Sequence, residues 1–238
     1  MKVTGRRAGL ALLLAAILAL GAWYYAQRWH PSDRRFPSQG IDVSHHQGVI
    51  DWGQLPAQGV DFAYIKASEG GDHRDSAFAA NWSGARQAGI ARGAYHFFTL
   101  CRPGAEQAAN FIAAVPADPD ALPPAVDLEY LGNCSRPVTS GQFHAELAAY
   151  IRAVEARYRK PVLLYLTAEF DRTYRVSARV DRPLWLRALV REPRFGARSW
   201  HLWAGLQLQA AAWNRGPRRL ECPAPLTLPR HSGESRNP

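Results

Sequence analysis

A chain of 238 residues can bury one complete core, and a single domain of the α/β barrel size class fits once the amino-terminal segment is set aside. The formal charge of +9 suggests a nucleic-acid partner, but residues 1–35 carry +5 and residues 214–238 carry +3, which leaves +1 for the long middle. No basic stripe interleaved with aromatic residues runs through that middle, so the composition speaks against nucleic acid as a partner.

Met1 to Arg7 is short and positive, and Ala8 to Ala26 is a run of 19 residues without a charge, closed by Gln27-Arg28. This predicts a membrane-targeting segment over residues 1–28. Its length suits a spanning helix, Trp23, Tyr24 and Tyr25 suit an interface anchor, and the positive flank keeps that end cytoplasmic, so the rest of the chain is exported. Ala19-Leu20-Gly21 resembles a small-x-small cleavage site, which keeps a removed signal peptide as the alternative to an uncleaved anchor. A polar linker over residues 29–39 follows.

From Gly40 onward, apolar β-rich runs recur at 40–43, 62–67, 91–98, 124–128, 162–166, 183–186 and 200–203. Helical patterns separate the early ones: 76–88, 104–115, and the long 140–158, with Phe143, Leu147, Tyr150, Ile151 and Val154 on one face. Strand–helix alternation giving way to strands with little helix between them predicts an irregular (β/α) barrel over 40–203, with about five β/α units and then short strands.

The fourth run, Pro124-Ala125-Val126-Asp127-Leu128-Glu129, ends in two carboxylates. Residues two apart on a strand face the same side about 6 to 7 Å apart. Acids that close influence one another, so one can hold a proton near neutral pH while its neighbour stays ionised, as a general acid beside a base, nucleophile or electrostatic stabiliser. Alternatively, the acids of a strand end simply meet solvent or an arginine. In barrels of this kind active residues sit where strands end at the carboxyl face. Asp42 closes the first run, Lys66 and Glu69 follow the second, Tyr95 and His96 lie on the third, Tyr165 ends the fifth and Trp185 lies on the sixth. Each alone has a structural explanation: Lys66 as a partner of Glu69, His96 as a satisfied core histidine, Tyr165 and Trp185 as packing residues. Their recurrence at successive strand ends is the argument for a common mouth.

Of the three cysteines, Cys101 follows the third run and Cys134 the fourth. If those strands are parallel neighbours, both lie in loops at one barrel end, and a disulfide between them is expected in an oxidising compartment. Cys222 is left over. No Cys/His spacing suits zinc, and the adjacent His45 and His46 cannot easily share a metal.

Gly40-Ile41-Asp42-Val43-Ser44, Gln47-Gly48, Asp51-Trp52, Ile65-Lys66-Ala67-Ser68-Glu69-Gly70, Gly93-Ala94-Tyr95-His96-Phe97 and Asp127-Leu128-Glu129 occur in one order. In that order they resemble the glycosyl hydrolase family 25 lysozymes, the Chalaropsis-type N-acetylmuramidases. The segments Cys101–Gly104 and Gly132–Cys134 resemble the versions found in Gram-negative bacteria. The resemblance implies a flattened eight-stranded barrel that hydrolyses the β-1,4 bond between N-acetylmuramic acid and N-acetylglucosamine in peptidoglycan, as a monomer, without metal or cofactor. It implies Glu129 as general acid, Asp127 as its partner and Asp42 as a third carboxylate across the groove. Tyr95, Tyr165 and Trp185 would offer apolar faces to sugar rings, and Lys66, Glu69 and His96 would bind substrate or orient the acids. The domain would be anchored in the inner membrane facing the periplasm, or secreted if the leader is cleaved.

After Trp200-His201-Leu202-Trp203 the family pattern of Gln-Tyr and a last Val-Asp-x-Asn strand is absent. Residues 204–238 hold five prolines, clustered arginines and no Asp, which reads as a shifted frame or a foreign end. The expectation is a missing last strand, a disordered tail, partial filling by Leu206–Gln209, and impaired activity. A remnant that only binds cell-wall glycan is the alternative function, and a barrel acting on chitin or another amino-sugar polymer a third.

Overall fold

The computed structural model describes residues 2–28, 36–135, 137–189, 191–205 and 218–222. Helix α1 (Lys2–Arg28) comes first. Its large apolar side chains from Leu10 to Tyr25 are exposed. Among the described residues no helix is long and apolar enough to cross a membrane, so a spanning role for this segment rests on the sequence alone.

The domain is a barrel. Strands β1 (Ser38–Val43), β2 (Phe62–Glu69), β4 (Ala91–Phe97), β5 (Ala125–Leu128), β6 (Leu163–Leu166), β7 (Leu184–Arg187) and β8 (Leu202–Ala204) are parallel, in that order around the sheet. A two-residue strand β3 (His73–Arg74) is appended antiparallel to the end of β2. The expected gap at the end of the sheet does not occur: β9 (Arg218–Cys222) runs antiparallel between β8 and β1 and closes the barrel, with Arg218 opposite Asp42. Arg218-Arg219-Leu220-Glu221-Cys222 has no alternation to mark it as a strand. It pairs because β1 and β8 each offer a row of backbone donors and acceptors, and such an edge is indifferent to side chains. The expected filling by Leu206–Gln209, and the rest of the tail read as disordered, lie outside the described residues.

Helices α2 (Phe78–Gln87), α3 (Gly104–Ala114), α4 (Ser140–Tyr158), α5 (Ala168–Tyr174) and α6 (Val176–Arg179) cover the outside. The first crossover has three 3-10 turns in place of an α-helix. Thr139 caps α4 in a reciprocal capping box with Gln142, and Phe143, Leu147, Tyr150, Ile151 and Val154 are its buried stripe, as their spacing predicts. Two apolar layers result. One lies between strands and helices, and the other fills the barrel with Phe62, Tyr64, Ala125, Leu163, Tyr165, Trp185, Leu202 and Ala204. Gly93 belongs to the inner layer because a Cβ there would lie 2.4 Å from the Tyr64 ring.

Candidate active site

The strands all deliver their carboxyl ends to one mouth, and a cleft of about 340 Å³ opens there. Alternation on each strand decides what enters it. On β5, Ala125 packs in the barrel interior, Val126 and Leu128 face the helices, and Asp127 lines the cleft. Glu129 follows one residue beyond the strand on the same side, only 6% exposed. Asp42 at the end of β1, Lys66 and Glu69 on β2, Tyr95 on β4, Tyr165 on β6 and Trp185 on β7 complete the wall. Eight of the nine catalytic or substrate-binding residues expected from sequence thus line one cavity.

Lys66 and Glu69 reach it together through an irregularity. On a regular strand residues three apart face opposite sides, but the register of β2 against β4 slips between Lys66 and Ser68. This bulge turns Glu69 back onto the face of Lys66, whose Nζ donates to Glu69 Oε2 at 2.6 Å. Lys66 also lies 5.2 Å from the centre of the Phe97 ring. The pair is both structural and part of the cleft.

His96 is the correction. It stands between Tyr95 and Phe97, which both line the cleft, so strand alternation sends it to the opposite side. There it is fully buried, stacked on Tyr150 at 5.1 Å between ring centres. Ser68 Oγ lies 2.8 Å from its Nδ1, and Gln107 Oε1 lies 3.2 Å from its Nε2. The amide oxygen can only accept, which fixes Nε2 as the protonated nitrogen and makes the Ser68 hydroxyl a donor to Nδ1. Burial, with a smaller contribution from the Lys66 charge, pushes its pKa down to about 3 against the Gln107 hydrogen bond, so it is neutral, and it lies outside the lining of the cleft.

Tyr165 and Trp185 are inside the cleft yet present little open face. They are 3% and 2% exposed, packed edge to face with ring centres 4.8 Å apart, and form its floor. Open apolar surface comes instead from Leu131, 73% exposed on the loop after Glu129.

Ser44, His46, Gln47, Phe97, Leu131 and Gly132 also line the cavity and are not among the catalytic or substrate-binding residues expected from sequence. Phe97 was legible, since it stands two residues after Tyr95. Ser44 and Gln47 form a reciprocal cap on a 3-10 turn, with Gln47 Oε1 accepting from Ser44 N at 2.7 Å. That turn is tied down by Asp75, whose buried carboxylate accepts from His45 N at 2.9 Å and pairs with its Nδ1 at 2.7 Å. His46, beside it, has its pKa lowered by burial, then by His45 and Lys66. Nothing in the sequence marks Leu131 except its nearness to Glu129, and Gly132 stands out only as the first residue of the Gly132–Cys134 segment.

Cys101 and Cys134 are joined by a disulfide with Cα atoms 6.2 Å apart, linking the loops after β4 and β5. A second hollow beside it shares Glu69 and Gly132 with the main cleft, so the groove continues past the acids. Among the described residues no group of His, Cys, Asp and Glu could hold a metal ion. Carboxylates flanked by an ammonium and aromatic rings, in an elongated polar groove, can protonate a leaving oxygen and hold a carbohydrate chain.

Known proteins share this architecture. Lysozyme M1 of Streptomyces globisporus is 38% identical over 146 residues, 57% of this chain, and the chain spans about half of that protein, 48%. A family 25 glycosyl hydrolase from Bacillus anthracis superposes with a TM-score of 0.72 at 32% identity, covering 81% of this chain and 91% of that one. The bacterial lysozyme of Streptomyces coelicolor gives 0.70 at 29% identity, with 78% and 91% covered. The sequence model of the glycosyl hydrolases family 25 matches residues 41–213, past the point where the motifs read from sequence stop, and the chain belongs to that family.

Proposed function

We propose that the chain is a muramidase that hydrolyses the β-1,4 bond between N-acetylmuramic acid and N-acetylglucosamine in peptidoglycan. The observation that carries the reading is the placement of Asp42, Asp127 and Glu129 in one cleft of a family 25 barrel. Glu129, the least exposed of the carboxylates lining the cleft, protonates the leaving glycosidic oxygen. Asp127, two residues before it on the same face, orients the substrate's acetamido group or stabilises the oxocarbenium-like centre, and Asp42 faces them from β1. Lys66 and Glu69 hold polar groups of the sugar, Tyr95 and Leu131 offer apolar contact, and Tyr165 and Trp185 set the floor.

Purified full chain incubated with peptidoglycan should release reducing ends that Glu129→Gln and Asp127→Asn do not. Unchanged lysis in Glu129→Gln would refute the assignment. Glycan binding by the wild type without any cleavage would point to a binding remnant, and cleavage of chitin oligomers in preference to peptidoglycan would point to another amino-sugar polymer.

We also propose that residues 1–28 take the domain out of the cytoplasm, as an inner-membrane anchor facing the periplasm or as a leader removed on secretion, and that it works as a monomer. The uncharged run with a positive flank and a disulfide in the exported part support the export. Fractionation of cells expressing the full chain, with the mass of the mature amino terminus, separates anchor from leader, and a cytoplasmic product would overturn both.

A further inference from the structure

The last paired residues of β4 and β5 are Phe97 and Asp127, and Phe98 N donating to Asp127 O at 3.0 Å is the last bond of that ladder type. Glu129 stands beyond it, where, among the described residues, β4 and β5 have no further backbone pairing to hold them in register.

One side chain takes over there. Asn133 Nδ2 donates to Phe98 O at 2.9 Å and to Glu129 O at 3.0 Å. Its Oδ1 accepts from Leu100 N and from Cys134 N, both at 2.9 Å. Both donors and both lone pairs of the amide are used, which leaves it no second arrangement of equal value. One residue further along each loop, Cys101 and Cys134 are covalently joined. The turn between is closed by Asn133 N donating to Tyr130 O at 2.9 Å and by Gly132 at φ +83°, a left-handed conformation that glycine takes without penalty. Tyr130 packs against Phe170, 5.0 Å between ring centres, and anchors the turn on its other side.

We infer that Asn133, locked by the Cys101–Cys134 bridge, is a positioning residue for Glu129. Its amide replaces the missing ladder and fixes the backbone from which the acid projects, so turnover depends on the amide and on the oxidised state of the bridge. The inference rests on Glu129 being the general acid proposed above. Displacing a catalytic group by about 1 Å can cost roughly 100-fold in rate, so a loosened turn is felt in kcat before it is felt in binding.

The test uses the full chain and peptidoglycan. Asn133→Ala is expected to lower kcat at least tenfold with KM changed less than threefold, and to move the alkaline limb of the kcat–pH profile, which reports loss of the acid's proton. Asn133→Asp, which turns an oxygen toward the Phe98 and Glu129 carbonyls, should be no better. Reduction of the bridge, or Cys101→Ser with Cys134→Ser, should lower kcat in the same way, and combining it with Asn133→Ala should cost less than the product of the two effects, because both act through one loop. A lower melting temperature with kcat and the alkaline limb unchanged would overturn the inference, as would independent, multiplying effects of amide and bridge. Should Asn133→Ala fail to fold, oxidised against reduced wild type carries the comparison. Should the wild type cleave nothing, the assignment of Glu129 fails, and a pH titration of the 13C-labelled Glu129 carboxyl in wild type and variant still decides the positioning: identical titrations overturn it.

Discussion

His96 offers a direct way to check how the core and the cleft are divided. Its ring is buried and neutral, with a pKa held at about 3 chiefly by burial, against 6.5 in the unfolded chain. Below pH 6.5 the unfolded chain therefore takes up a proton that the folded chain refuses. Stability from this residue is fully present above pH 6.5, falls as pH drops below it, and levels off only near pH 3. Each pH unit in that window costs ~1.4 kcal/mol, which accumulates to roughly 4 to 5 kcal/mol at its acid end, a large part of the 5 to 15 kcal/mol that typically holds a domain folded. Carboxylates also contribute to acid unfolding, so wild type is compared with His96→Gln, which cannot titrate. Near pH 7.5 the variant should be less stable by about 2 kcal/mol, from lost packing on Tyr150 and imperfect bonds to Ser68 and Gln107. In urea unfolding at pH 7.5, 6, 5 and 4 the gap should close with falling pH and then reverse. KM for peptidoglycan should stay within twofold. A gap independent of pH would refute the burial argument, and a tenfold rise in KM would return His96 to the substrate site.

Other perturbations test the remaining parts. The Tyr150 hydroxyl is buried without a hydrogen-bond partner among the described residues, and burial raises its pKa well above 10, so Tyr150→Phe should stabilise the domain by about 1 kcal/mol in thermal unfolding; a destabilised variant would mean that a partner had been removed. Lys66→Met leaves the Glu69 carboxylate unpaired in the cleft and should cost about tenfold in kcat/KM and, since Glu69 is a third exposed, only ~1 kcal/mol of stability. Adding Glu69→Gln should restore the stability but not the turnover, and equal stability of single and double variants would dismiss the pair as a structural element. A chain ended before Arg218 leaves β1 and β8 with unpaired edges, and calorimetry should show a lower melting temperature together with reduced turnover, because Asp42 sits on the edge that β9 covers; an unchanged transition would show that β9 contributes nothing.

Much of this was legible in the chain itself. The stripe of α4, the alternation that puts Asp127 and Glu129 on one face and the recurrence of polar residues at strand ends are encoded within a few residues of one another, and local spacing is enough to read them. The same alternation, applied to Tyr95, His96 and Phe97, separates a core histidine from two cleft residues, although the position of His96 at a strand end argued otherwise. What spacing could not supply is whatever depends on a partner strand. The bulge that brings Glu69 beside Lys66 exists only in the register of β2 against β4. The packing that closes the faces of Tyr165 and Trp185 comes from neighbours across the barrel, and the strand formed by Arg218–Cys222 follows from the backbone edges of β1 and β8. The chain by itself determined the elements and the acids; the closed sheet decided which side each residue faces and what holds Glu129 in place, because register and loop-to-loop bonds join residues that are distant in sequence.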